Sequence, residues 1–384
     1  MASSSDPSPT PQPPSVEHQQ VAVAALQKLV QESKDGDRAP HESTTHSGIS
    51  TYFRNLVSWD SLENFENVWH LGNYVIDRQT GKKTFEPMSI YVRLGMHFLY
   101  YGYGQEAVLH LKQAREILEH QSKQMGAAYD APASKAHIEP FITTFNLRDS
   151  LKEMVEPDPT KYATFNQFFA REIKLSARPI AEPDDRLVVS SPADCRLTVF
   201  PTVDQATKYW IKGYGFTIAK LLNDEHLAAQ FTEGTIAIAR LAPQDYHHWH
   251  SPVDGTVQSI TEIPGTYYTV NPQAITQPGI LDVFCENRRS VMIINRKPNN
   301  IPIVVVAVGA MLVGSIKYNP GIQPGAEIKR GDCLGAFQYG GSTVIVLCPK
   351  GQVVPDKDLV ENSTQQRCET LVQVGWRIGR GPAN

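Results

Sequence analysis

Beyond Ala177-Arg178-Pro179 the chain becomes a succession of short β-branched runs: LVVSSPAD, CRLTVF, TIAIARL, GTVQSITEI, SVMIIN, PIVVVAV and STVIVL. Gly, Pro and Asp separate them, and runs of this length bounded by turn residues are the signature of strands. A chain carrying so many must place them in sheets, and few helices fit between them. The most apolar stretch, IPIVVVAVGAMLVGSI from Ile301 to Ile316, is shorter than the roughly 20 residues that a membrane-spanning helix needs. It is rich in Val and Ile and is interrupted by Gly309 and Gly314. It therefore predicts a buried strand pair.

The 384 residues suggest two compact units plus a tail. Residues 1–48 open with five prolines among small polar residues, in MASSSDPSPTPQPP. Such a segment buries too little apolar surface to offset its chain entropy and is expected to be a disordered tail, apart from a short helix over Glu17 to Gln31. Residues 49–176 read as mostly helical, with Val108, Leu111, Ala114 and Leu118 at helical spacing. Residues 177–384 read as the β-rich domain. The fold class is thus α+β, with helices first and a mostly antiparallel β-rich unit after them.

Hydrophobic residues make up 41% and charged residues 20%, enough apolar material for a core without staples. A net charge of −4 gives no electrostatic case for nucleic acid. Five scattered cysteines without a CxxC argue against a disulfide framework or a zinc ribbon and fit a reducing compartment. The N-terminus has neither an apolar signal core nor the arginines of a transit peptide. The expectation is a cytoplasmic protein with at most peripheral contact with an internal membrane. The aromatic stretch FLYYGYG, Phe98 to Gly104, reads either as core or as a surface that meets lipid head groups.

Three places concentrate reactive groups: SSPADC with Asp194, DYHHWHSPVDG with His247, His248 and His250, and YGGST with Ser342. On a strand, His248 and His250 share one face while His247 and Trp249 take the other. A turn aspartate is ordinarily a cap, and a GGS turn before a strand is ordinarily a turn. The histidine cluster lacks HExxH or other ligand spacing, so no metal is expected. A Ser-His-Asp set from Ser342, His250 and Asp194 is open to the chain, but such sets are recognised by geometry. Residue types and spacing alone stop at a protein with a histidine cluster.

The ordered combination goes further. RLAPQDYHHWHSPVDG (Arg240 to Gly255), PGTYYTVNP, LDVFCENRR, VGAMLVGSI and YGGSTVIVL (Tyr339 to Leu347) follow one another, preceded by FNQFFAREIKLSARPI and SPADCRLTVF. Together they closely resemble the phosphatidylserine decarboxylase family. The tail DLVENSTQQRCETLVQVGWRIG is similar to its eukaryotic non-mitochondrial branch. The resemblance spans about residues 50 to 380. His248 departs from it, standing where bacterial members typically carry arginine. No D-x-[DN]-x-[DN]-G loop is present, so the C2 and calcium-binding modules of large relatives, and a calcium-dependent anchor, are expected to be missing.

The resemblance implies a proenzyme that cuts itself between Gly341 and Ser342; Gly314-Ser315 is a similar dipeptide that stays whole. Ser342 attacks the Gly341 carbonyl, with His250 as base and Asp194 orienting it, and Ser342 is left as a covalent pyruvoyl cofactor. That group is an electron sink for loss of carbon dioxide. His247 is implied to lie beside it as a second acid/base. The product is a heterodimer of the chain's own two fragments, alone or in a higher homo-oligomer. The implied activity is a carboxy-lyase of phospholipid biosynthesis, taking phosphatidylserine to phosphatidylethanolamine. An enzyme acting on a soluble amino acid such as tryptophan is the alternative, and a dead homologue serving as a scaffold is a third.

Overall fold

The computed structural model describes residues 72–87, 120, 123–124, 126–211, 216–266, 282–309, 316–338 and 342–382. The predicted helices around Glu17 to Gln31 and Val108 to Leu118, the FLYYGYG stretch, and Gly314, Ser315 and Gly341 lie outside them.

The strands are β1 (Gly72–Asp77), β2 (Lys83–Pro87), β3 (Val188–Ser190), β4 (Cys195–Phe200), β5 (Thr235–Leu241), β6 (His248–His250), β7 (Gly255–Ile263) and β8 (Arg289–Arg296). They continue with β9 (Ile301–Gly309), β10 (Ile316–Tyr318), β11 (Glu327–Ile328), β12 (Cys333–Phe337), β13 (Ser342–Cys348), β14 (Val354–Pro355), β15 (Glu369–Val372) and β16 (Arg377–Arg380). Ten of them form one sheet in the order β11-β7-β8-β9-β13-β5-β4-β15-β1-β2, and two three-stranded sheets, β10-β12-β6 and β14-β16-β3, accompany it. Every described pairing is antiparallel except β1 with β15. The α+β class and the mostly antiparallel sheet follow the sequence. The apolar run from Ile301 does not make a hairpin: it supplies β9 to the large sheet and β10 to a small one.

One difference lies in the N-terminal region. Gly72–Asp77 and Lys83–Pro87 are strands within a stretch read as mostly helical. The reason is local. Asp77 Oδ1 accepts from the Thr80 backbone N–H at 2.8 Å, and Gly81 closes the turn at φ +67°. The hairpin then adds to the edge of the large sheet through β15. The segment before β3 is helical as expected, with short helices over Ile138–Thr144 and Phe165–Phe169.

The alternation of side chains divides the large sheet. Ile345 and Leu347 of β13 face a cluster with Phe200, Trp210, Leu221 and Phe231, under helices Val203–Tyr209 and Ile218–Leu222. These helices begin at Thr202 and Thr217, whose hydroxyls accept from the N–H of Gln205 and Lys220 and so satisfy donors the helix itself leaves open. Val344 and Val346 face the opposite way, against Trp249, Leu334 and Phe337 of the small sheet. A third cluster, built on Phe141, Phe165, Phe168 and Phe169, takes in Tyr246 and Val374. Ser342 has the parity of Val344, so it starts on the face that the histidine strand covers.

Gly335 seats that small sheet. A Cβ there would stand 2.3 Å from the Lys317 carbonyl oxygen and 2.6 Å from the Trp249 ring. Overpacking of this kind costs about 1–3 kcal/mol, so Gly335→Ala is expected to lower the unfolding midpoint clearly. An unchanged midpoint would show that the small sheet is not held at this contact.

Candidate active site

Ser342 is fully buried and opens β13, between Leu241 of β5 and Gly309 of β9. Its Oγ has no hydrogen-bond partner among the described residues. A buried hydroxyl left unpaired carries a desolvation cost. Its neighbour in register is pinned by Asn287, whose Nδ2 donates to the Gly309 carbonyl at 2.8 Å.

The turn after β5 carries the histidines. Asp245 Oδ2 accepts from the Ala242 N–H at 2.7 Å and from Arg196 Nη1 at 2.6 Å, which tightens the turn. Arg196 is itself held by Glu86 of the hairpin, with Nε to Oε2 at 2.8 Å. The Asp245 backbone carbonyl faces His247 Nδ1 at 2.9 Å. A carbonyl only accepts, so Nδ1 carries the proton and Nε2 holds the lone pair. That Nε2 is buried and has no partner among the described residues. Burial pushes the His247 pKa down to about 3, with the Arg171 charge acting the same way. His247 is thus a neutral imidazole with an acceptor left unpaired by the described residues. Its ring packs on Phe169 with centroids 4.0 Å apart.

His248 and His250 lie together on the opposite face from Trp249, both against Tyr246. His248 Nε2 donates to the Ala170 carbonyl at 2.9 Å, and its Nδ1 meets the Cys333 thiol at 3.3 Å. His250 Nδ1 donates to the Gly331 carbonyl at 2.7 Å, and its Nε2 meets the Tyr246 hydroxyl at 3.2 Å. Burial lowers the pKa of both rings. Gly331 aims its carbonyl from a backbone at φ +91°, a conformation that favours glycine.

Asp194 stands in the turn before β4 and does not hydrogen-bond His250. Arg178 grips its carboxylate, Nε at 2.9 Å from both oxygens and Nη2 at 2.6 Å from Oδ2, and the Val374 N–H donates to Oδ1 at 2.8 Å. Its negative charge still reaches His250 and favours protonation there. Asp194 lies close enough for its charge to act on His250, and Ser342 opens the strand whose face meets Trp249; sequence reasoning missed the groups that hold the histidines and Asp194: Arg178, Tyr246, Gly331 and Arg171. Arg171 is buried, its pKa lowered by desolvation to about 10, and it donates from Nη2 to the Gln244 carbonyl at 3.1 Å. Arg178 and Arg171 both sit in the REIKLSARPI stretch, which was the available signal. Nothing in the sequence marked the Gly331 carbonyl. No group of metal-ligating side chains occurs among the described residues.

A family model described as phosphatidylserine decarboxylase matches residues 165–380. The chain belongs to the phosphatidylserine decarboxylase family. It is 43% identical over 306 residues to phosphatidylserine decarboxylase proenzyme 3 of Schizosaccharomyces pombe, covering 80% of this chain and 31% of that one. It is 40% identical to proenzyme 2 of Saccharomyces cerevisiae, covering 79% of this chain and 26% of that one. The proenzyme of Fusobacterium nucleatum is 35% identical, with 82% of this chain matched to 98% of that protein. The chain thus spans a third or less of its fungal relatives and nearly all of this bacterial one. Ser342, the histidines and Asp194 all fall within the matched stretch of this decarboxylase family.

The His247 environment has a measurable consequence. In the unfolded chain the imidazole takes a proton near 6.5, while in the fold it does so only at about 3. Between those values the unfolded state binds more protons, so stability is full above the upper value and falls as pH drops towards the lower. His248 and His250 add in the same direction. In the uncleaved Ser342→Ala chain, the loss of unfolding midpoint between about pH 7.5 and 5 should shrink on adding His247→Gln. An identical loss in both chains would contradict the buried neutral imidazole.

Proposed function

We propose that this chain is a self-processing carboxy-lyase that decarboxylates phosphatidylserine to phosphatidylethanolamine. The observation that carries the proposal is the buried Ser342 Oγ at the head of β13, without a partner among the described residues, in a chain of this family, on the sheet face covered by the histidine strand.

In the first stage Ser342 Oγ attacks the carbonyl of Gly341. His250 takes the hydroxyl proton on Nε2, since a hydroxyl is a weak nucleophile until a base relieves it of its proton. Asp194 helps through its charge, which favours the imidazolium that forms, while Arg178 keeps that carboxylate in place. The chain exchanges an amide for an ester. Elimination then frees the Gly341 carboxylate and leaves a dehydroalanine, which water converts to a pyruvoyl end with loss of ammonia.

The site suits such a group. The pyruvoyl end replaces an Oγ that makes no hydrogen bond to the described residues. When present, it supplies an electron sink for the carboxylate's departure. The chain's own residues handle protons around it. The substrate amine must be neutral to react, and His247 Nε2, a buried acceptor with no partner among the described residues, can accept a hydrogen bond from it. The surrounding burial excludes water and strengthens each electrostatic contact.

The two fragments stay together after the cut. β13 pairs along its whole length with β5 and, through Leu347, with β9, and β15 and β16 pair with β4 and β3. The mature protein is therefore a heterodimer of residues 1–341 and 342–384. No helix among the described residues is long and apolar enough to cross a membrane. The substrate is reached by peripheral contact, and the proposed location is the cytoplasmic side of an internal membrane.

The test is carbon dioxide release from carboxyl-labelled phosphatidylserine vesicles, run beside free amino acids including tryptophan. Release from the vesicles alone is expected, with none from Ser342→Ala. Release from an amino acid and not from the lipid would overturn the substrate. Release by Ser342→Ala would overturn the mechanism.

A further inference from the structure

The proton on His247 is placed by a chain of contacts that begins in the N-terminal hairpin. His247 Nδ1 faces the Asp245 backbone carbonyl at 2.9 Å, and that bond sets which ring nitrogen carries the proton. The Asp245 side chain steadies the same turn, its Oδ2 accepting from the Ala242 N–H at 2.7 Å and from Arg196 Nη1 at 2.6 Å. Burial pushes the Asp245 carboxyl pKa up, and Arg196 opposes that rise. The other edge of the Arg196 guanidinium belongs to Glu86, with Nε 2.8 Å from Oε2 and Nη2 2.5 Å from Oε1. Arg196 is only 3% exposed, so water has little access to replace a lost partner.

Glu86 is also held in place independently of Arg196. It lies on β2, which pairs with β1, and β1 pairs with β15. Just beyond β1, Arg78 forms ion pairs with Asp356 and Asp358, each at 2.7 Å. The hairpin thus leans on residues that follow Ser342, while its second strand presents a carboxylate towards the histidine turn. Among the described residues that carboxylate hydrogen-bonds only Arg196. A buried guanidinium deprived of one carboxylate is left with unmet donors, a costly state. It relieves them by turning towards the carboxylate that remains. That one is Asp245, and drawing it over pulls Oδ2 away from the Ala242 N–H.

We propose that Glu86 is a positioning residue for His247, acting through Arg196 and Asp245, so that the hairpin of β1 and β2 completes the site. The proposal rests on the reading of His247 Nε2 as an acceptor for the substrate amine. With Glu86 in place, the ring is held Nδ1-protonated and Nε2 keeps its lone pair. Without it, the Asp245 carbonyl shifts and the Nε2-protonated form becomes accessible. A donor then stands where the amine needs an acceptor. The loss falls on turnover and not on lipid binding, because the Glu86 carboxylate is already taken up by Arg196.

Two measurements test this. Fully cleaved Glu86→Gln, assayed on phosphatidylserine vesicles and normalised to its pyruvoyl content, should show kcat lowered about 10-fold, the scale of one hydrogen bond to a charged group, with KM within about 2-fold of wild type. A hairpin that only adds stability would lower the melting temperature and leave the ring proton where it is. Nitrogen-15 spectra of the histidine-labelled, uncleaved Ser342→Ala chain near neutral pH separate the two. His247 should be a single Nδ1-protonated ring in that chain and a mixture of both tautomers once Glu86→Gln is added. A His247 that stays wholly Nδ1-protonated, or a kcat equal to that of wild type, overturns the proposal. Should Glu86→Gln fail to fold, Glu86→Asp keeps the charge on a side chain one methylene shorter and should shift the tautomers in the same direction; no shift overturns the proposal. If wild type releases no carbon dioxide from the lipid, the functional reading fails, while the spectra still judge whether Glu86 places the His247 proton.

Discussion

Everything in the site hangs on the pairing of β13. All seven of its residues are buried, and the strand is hydrogen-bonded on both sides, to β5 throughout and to β9 from Ser342 to Leu347. Its first residue is Ser342. Its hydroxyl therefore sits where regular pairing begins, with a rigid strand on its C-terminal side. The same pairing would keep the two proposed fragments in one folded body. The residues after the proposed cut form an interior strand whose neighbours lie before it. A one-residue slip would turn Ser342 to the helical face and bring Thr343 to the histidine side.

The second constraint is electrostatic. Three histidines lie in a buried strand and turn, each with a carbonyl fixing its proton: Asp245 for His247, Ala170 for His248 and Gly331 for His250. Burial holds all three neutral. What separates them is the second nitrogen. Among the described residues it has no partner on His247, and it meets a thiol on His248 and a tyrosine hydroxyl on His250. Three equal residues in sequence thus come to lie in three different hydrogen-bonding environments. The two ion-paired arginines around them, Arg178 on Asp194 and Arg196 on Asp245, set the turns from which they project. Arg196 extends this support to Glu86, so the N-terminal hairpin is tied to the site across more than a hundred residues of sequence.

Much of the architecture was legible in the chain. Short β-branched runs between turn residues became strands of one antiparallel sheet, and the alternation of His248, Trp249 and His250 was read correctly because period two is a local property. The hairpin at Gly72 was not, because its strands are short and the strand it joins, β15, lies almost 300 residues away. The site divided the same way. Ser342, His250, His247 and Asp194 were visible as residue types in ordered motifs. Their supports were not. The grip of Arg178 on Asp194, the carbonyl of Gly331 and the hydroxyl of Tyr246 act through tertiary contacts that no spacing encodes.

The most direct test of the account is the chemical identity of the new end at residue 342. Active protein should contain a fragment that begins there and resists N-terminal sequencing. Reductive amination with ammonium and cyanoborohydride should then convert its keto group to an amine, giving a readable sequence of Ala followed by Thr-Val-Ile-Val. An active preparation made only of uncut chain, or a fragment that reads Ser-Thr-Val-Ile-Val without treatment, would contradict it.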